Sequence, residues 1–108
     1  MNQTDELKNE VKLAQEAEWV QQVTQGNQDA LIKLYEAYID PVYGYFFNRT
    51  RSTSEAEALT SETFTRAVEA LMRHHYTWQG KPFGAWLFGI AGRILQERNR
   101  KRGFWPLF

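Results

Sequence analysis

"RSTSEAEALTSETFTRAVEALM", residues 51–72, carries the clearest periodicity in the chain and decides its fold class. Ser54 followed three residues later by Glu57 has the form of a capping box, in which hydroxyl and carboxylate each satisfy a backbone N–H that the first helical turn leaves unpaired. Ala56, Leu59, Thr63, Phe64, Ala67 and Leu71 then follow at helical spacing. Glu55, Glu62, Arg66, Glu69 and Arg73 point away from that stripe. The stretch predicts an amphipathic helix with one face in a core.

Outward from it, the chain reads as further helices and turns. From about Asp5 to Thr24, Leu7, Val11, Ala14, Ala17, Val20 and Val23 fall on one helical face. Gly26 ends that helix, and Asn27 is placed to cap a second one with Asp29 in its first turn and Leu31, Leu34, Tyr35 and Tyr38 on its apolar face. Asp40-Pro41 has the form of a cap followed by proline at the first helical position. It predicts a third helix through Val42, Tyr43, Tyr45, Phe46 and Phe47, weakened by Gly44. His74 to Pro82 reads as a loop, punctuated by Gly80 and Pro82. A last helix runs from about Phe83 to Arg102 with Phe83, Trp86, Leu87, Ile90, Ala91, Ile94 and Leu95 on one face, and Gly103 stops it. The expectation is an all-α domain of about five helices over residues 1–103, with 104–108 a linker start or C-terminal tail. With 108 residues, 43% of them apolar, the chain can bury one modest core.

Composition excludes several functions. There is no cysteine, so neither a disulfide framework nor a thiolate metal site can form, and a reducing, cytoplasmic setting is expected. The polar start MNQTDELKNEVKL lacks the apolar centre of a secretory signal. No apolar run approaches the roughly 18 residues needed to span a bilayer, so no membrane partner is expected. His74 and His75 are neighbours, about 100° apart on any helix, with no third ligand at a suitable spacing. No metal or other cofactor is expected. Gly80-Lys81-Pro82 is not a phosphate loop, and no Gly-x-Ser-x-Gly or His-Glu-x-x-His pattern occurs. Without a complete catalytic set, the chain is not expected to be an enzyme.

A formal net charge of zero hides an asymmetry. Up to Asn48 there are three lysines against eight acids; from Arg49 onward there are ten bases against five acids. Positive charge concentrates in "RNRKR", Arg98 to Arg102. Either a polyanion sits at this basic end, or the bases complement the dipole of their own helix and stay solvated.

Four blocks in order carry a family resemblance: VQQVTQGNQDALIKLYEAYIDPVYGYF (20–46), EAEALTSETFTRAV (55–68), GKPFGAWLFGIAGR (80–93) and a last helix ending in RNRKR (98–102). Together, from about Trp19 to Arg102, they resemble domain two of bacterial extracytoplasmic-function sigma factors of the sigma-70 family. The resemblance implies a transcription initiation subunit that binds core RNA polymerase and helps read and open the promoter minus-10 element. It implies docking on the clamp coiled coil of the largest polymerase subunit through Glu57, Ala58, Ser61, Glu62 and Thr65. An anti-sigma factor is a further implied partner. For the non-template DNA strand it implies a base-capturing loop, matched here by His75, Tyr76, Trp78, Gln79 and Lys81, and a basic helix bearing Arg93, Arg98, Arg100, Lys101 and Arg102. Cations along phosphates and aromatic faces against bases are what a single strand requires.

The chain also departs from the family pattern. Ala58 stands where members often have an acid and Ser61 where they often have glutamine, which implies altered polymerase affinity. Members commonly read Ile-Ala-Arg-Asn where this chain has Ile90-Ala91-Gly92-Arg93. With Gly89, Gly92 is read either as permitting close approach of a helix or the DNA backbone, or as simple divergence. No minus-35-reading domain follows "GFWPLF", so the chain reads as an excised domain or as a single-domain relative. The apolar Phe104, Trp105, Leu107 and Phe108 either dock on a partner or fold back. Within the aromatic-rich residues 77–93, Phe83 and Trp86 share a face with Leu87 and Ile90 and read as core. Trp78 either meets a base or covers the core from the loop. A degenerate interaction module that binds polymerase or an anti-sigma factor without reading DNA is the alternative.

Overall fold

Four helices, rather than about five, make up the described part of the chain. The computed structural model describes residues 3–76 and 80–102. They form α1 (Gln3–Thr24), α2 (Gln28–Thr50), α3 (Thr53–Met72) and α4 (Phe83–Lys101). The expected break at Asp40-Pro41 does not occur, and Pro41 lies inside α2. Proline there removes one intrahelical hydrogen bond and crowds the carbonyl of Ala37, at a cost of about 3 kcal/mol. Pro41 and Ala37 both face solvent, where water can take the freed carbonyl. On the other side, Ala30, Leu34, Val42 and Phe46 are buried and Tyr38 is half-buried between them, a stripe at every fourth residue running through the proline. Burying side chains of this kind contributes roughly 1.5 to 3 kcal/mol each, so packing outweighs the local break.

The helix ends follow short-range chemistry. Gly26 takes φ +89° after α1, and the Asn27 side chain accepts a hydrogen bond from the Ala30 N–H at 3.1 Å to cap α2. Arg51, in the left-handed region at φ 55°, ends α2 by donating its N–H to the Phe47 carbonyl at 2.8 Å. Ser52, two residues before the expected Ser54, caps α3 by accepting from the Glu55 N–H at 3.2 Å. Ser52 satisfies its own N–H locally, on Thr50 Oγ1 at 3.3 Å. The expected Ser54–Glu57 box therefore does not form; Ser52 caps the helix alone, and Glu57 stays exposed on the outside of α3.

All six inward positions expected on α3 are buried, and Thr60 joins them. Phe83, Leu87, Ala91 and Ile94 of α4 complete the core, with Val20 and Val23 of α1 closing one end. The expected inner face of α1 is realised only in its C-terminal half. Leu7 and Val11 are 59% and 66% exposed, because a 22-residue helix, about 33 Å long, outruns the core it packs on.

α4 begins without a side-chain cap, since its N-cap is Pro82. Glu16 of α1 supplies the missing acceptor: one carboxylate oxygen takes the Phe83 N–H at 2.8 Å and the other the Tyr38 hydroxyl at 2.7 Å. Burial, reinforced by Glu16, pushes the Tyr38 hydroxyl well above its ordinary pKa. Close approach occurs at Gly84, where a Cβ would lie 2.7 Å from Tyr38 Cε1. It does not occur at Gly89, which faces open space, and at Gly92 a Cβ would make ordinary contact with the Tyr45 hydroxyl at 3.6 Å. No helix among the described residues is long and apolar enough to cross a membrane.

Opposite signs are expected for two alanine substitutions in α4. Gly84→Ala must displace a tyrosine held by Glu16 and should lower stability by about 1 to 3 kcal/mol. Gly89→Ala meets nothing and should raise it by up to about 1 kcal/mol through helix propensity. Thermal or urea unfolding of the two variants checks both, and equal effects would show that Tyr38 does not constrain the start of α4.

Candidate functional site

The basic end of α4 is partly committed to α3. Arg98 makes a two-pronged bond to Glu55, with Nε to Oε1 at 3.0 Å and Nη2 to Oε2 at 2.9 Å. Arg102 Nη1 reaches Glu55 Oε1 at 2.7 Å. The Arg98 side chain is 16% exposed against 49% for Arg102, so Arg98 belongs to the α3–α4 seam and Arg102 to its rim. Three turns further along α3, Arg66 pairs with Glu97, the neighbour of Arg98 on α4, at 2.7 Å and also with Glu62. Hydrogen bonding from Arg98, with the charges of Arg98 and Arg102, holds the Glu55 carboxyl below the usual carboxylate range, against desolvation. Arg66 does the same to Glu97.

Of the cations expected to meet DNA, Arg93, Arg100, Lys101 and Lys81 are exposed, and none has an ion-pair partner within 4.0 Å among the described residues. The loop candidates divide as well. His75 is exposed, with its backbone N–H on the Ala70 carbonyl at 2.8 Å. Tyr76 turns inward, its ring 4.6 Å from Trp86 and 5.7 Å from Phe83. Burial, then the Glu16 charge, raises its hydroxyl pKa. Phe83 is buried in the core as expected, whereas Trp86 is half-buried and packs against the core with its ring 5.3 Å from Phe83. Trp78 and Gln79 lie outside the described residues, as does the apolar tail 104–108.

The second surface is the outside of α3. Glu57, Ala58, Ser61, Glu62 and Thr65 are all exposed, the geometric complement of the buried stripe. Three of them, Glu57, Ser61 and Thr65, form one wall of a groove of about 650 Å³ between α2 and α3. Tyr35, Ile39 and Tyr43 form the facing wall, and Phe64 and Val68 contribute apolar surface. Tyr35 and Phe64 meet at 4.8 Å between ring centroids. The α2 side of this groove has no counterpart among the residues expected from the sequence. Its signal is the spacing of four between Tyr35, Ile39 and Tyr43, which becomes legible only once α2 is known to run unbroken through Pro41.

This arrangement can hold a helix along the groove and an anionic strand along α4. The sequence profile of sigma-70 region 2 matches residues 34–104, from the middle of α2 to beyond the end of α4. The chain belongs to the sigma-70 region 2 family. The ECF RNA polymerase sigma factor BldN of Streptomyces coelicolor is 39% identical over 87 residues, covering 81% of this chain and 32% of BldN. The ECF RNA polymerase sigma factor SigW of Bacillus subtilis is 29% identical over 83 residues, covering 77% of this chain and 43% of SigW. A chain of the solved RsbN–BldN complex superposes with a TM-score of 0.66 at 39% identity, covering 76% of this chain and 58% of that one. This region 2 chain thus spans less than half the length of either curated relative.

The Glu55 seam makes a pH prediction for the region 2 fold. Its folded pKa lies below the unfolded one, so the pair stabilises the fold above the ordinary carboxylate range, and that contribution disappears as pH falls through the depressed folded value. Melting curves from neutral to acid pH should show Glu55→Gln less stable than wild type near neutrality, with the gap closing on acidification. A gap constant across pH would mean that the Glu55 charge is not its source.

Proposed function

We propose that this chain is the part of an ECF sigma factor that docks on core RNA polymerase through the outside of α3 and its groove, while α4 and the preceding loop help read and open the minus-10 element in the cytoplasm. The activity is binding and strand capture, with no catalytic step. The observation that carries this reading is the exposure of all five α3 positions beside an apolar groove, in a chain of the sigma-70 region 2 family. Ala58 and Ser61 make the docking surface less acidic and less amide-rich than the family pattern, which favours weaker docking. The four exposed cations Lys81, Arg93, Arg100 and Lys101 support the strand-binding half. A solved relative was captured as an RsbN–BldN complex, which supports a regulatory protein partner, such as an anti-sigma factor, for this chain as well.

One set of observations favours the second reading, an interaction module that does not read DNA. Arg98 and Arg102 already have a carboxylate partner, and Tyr76 is packed inward. Fewer expected strand contacts are left free than the basic run suggests.

Both readings meet in titrations with a single-stranded minus-10 non-template oligonucleotide at several salt concentrations. Arg93→Ala and Arg100→Ala should each weaken binding and reduce the slope of log affinity against log salt by about 0.7, the value for one phosphate contact on a single strand. Arg98→Ala should mainly lower the melting temperature. Wild-type chain that co-purifies with core polymerase but does not bind the oligonucleotide selects the second reading.

A further inference from the structure

Two arginines at the end of α2 sit over aromatic rings, and they face opposite ways. The Arg49 guanidinium carbon is 3.8 Å from the centre of the Tyr45 ring, and that of Arg51 is 5.1 Å from the centre of the Phe47 ring. Tyr45 and Phe47 are two residues apart, about 200° around a helix. Phe47 stacks on Tyr43, which lines the α2–α3 groove, so Arg51 stands on the groove side. Tyr45 turns to α4: its ring meets Phe88 edge-on at 5.6 Å, and a Cβ on Gly92 would lie 3.6 Å from its hydroxyl.

Arg49 is exposed and has no ion-pair partner within 4.0 Å among the described residues. Its Nη1 donates to the Tyr45 carbonyl at 2.9 Å. That bond and the ring beneath hold the guanidinium in place, while its remaining N–H groups have no partner among the described residues. On α4, Gly92 lies against Tyr45, Gly89 meets open space, and Arg93 is exposed one turn after Gly89. With no side chain at either glycine, the surface stays low between Tyr45 and Arg93. A cation from α2 therefore borders the outer face of α4.

We infer that Arg49, seated on Tyr45, binds a backbone phosphate of the DNA strand laid along α4, so that the strand surface extends from α4 onto α2. The inference rests on the strand-binding half of the reading above and deepens it. A guanidinium presents paired N–H groups that match phosphate oxygens, and one already held on a ring gives up less freedom when it binds. Such a contact positions the strand without reading its bases. Arg51 carries the same charge two residues away on the other side of the helix, which makes it the natural control.

The test is the affinity of the 108-residue chain for the single-stranded minus-10 non-template oligonucleotide across several salt concentrations, for wild type, Arg49→Gln and Arg51→Gln. Thermal unfolding checks that each variant is folded at the titration temperature. Arg49→Gln should bind about fivefold more weakly near 0.1 M salt and lower the slope of log affinity against log salt by about 0.7, as for one lost phosphate contact. Arg51→Gln should leave both unchanged. A wild-type slope in Arg49→Gln, with or without a lower melting temperature, makes Arg49 only a cation at its own helix end; it overturns the inference and leaves the strand-binding reading standing. Equal losses in the two variants show a general effect of net charge and also overturn it. Wild-type chain that does not bind the oligonucleotide overturns both the inference and the reading beneath it.

Discussion

Glu16 joins three helices through one carboxylate. It stands on α1, receives the Tyr38 hydroxyl of α2 and receives the first backbone N–H of α4. α4 needs this because Pro82 offers no capping side chain and an uncapped helix start leaves backbone donors unpaired. A carboxylate at that position also meets the positive end of the helix dipole. The consequence is positional. With Phe83 tied down, Tyr76 and Trp86 pack around it, so the loop leaving α3 and the helix that follows share one anchored base. The exposed cations of α4 are displayed from that base.

Charge divides the rest of the surface by use. In the basic half of the chain, four of the five acids are paired: Glu55 with Arg98 and Arg102, Glu62 and Glu97 with Arg66, and Glu69 loosely with Arg73 at 4.0 Å. Glu57 is the exception, and it faces the groove with Asp40. Pairing along the α3–α4 seam therefore leaves an acid-rimmed groove at one surface and the cations Arg93, Arg100 and Lys101 along α4. The net charge of zero describes neither surface.

The inner face of α3 was legible because its spacing spells out a buried stripe, and the exposure of Glu57, Ala58, Ser61, Glu62 and Thr65 followed as its complement, while a docking role for them comes from the family resemblance alone. Asn27 and Gly26 were legible because capping is local chemistry. Pro41 misled, since a proline after an aspartate has the form of a helix start; the deciding signal was the run Ala30, Leu34, Tyr38, Val42, Phe46, whose spacing ignores the proline. Glycines misled in a similar way. Spacing marks them as small but does not say what stands opposite, and Tyr38 stands opposite Gly84, not Gly89 or Gly92. The fate of the basic run was not legible at all. Arg98 and Glu55 are 43 residues apart, and no local pattern joins them.

The two arginines on Glu55 are not equivalent, and the difference sets what the basic end can do. Arg98 fills both carboxylate oxygens in a two-pronged bond from a side chain that is 16% exposed. Removing it leaves Glu55 with one bond, and turning it outward breaks the brace between α3 and α4. Arg102 adds a single bond to an oxygen already engaged, from a side chain that is 49% exposed. Turning it outward leaves the Arg98 bond whole, strands no buried charge and gives up a contact of the kind that contributes little in water. A phosphate competing with Glu55 for the basic end therefore meets Arg102 at small cost and Arg98 at a large one. The run that reads as five consecutive polar residues works as a structural arginine followed by surface cations.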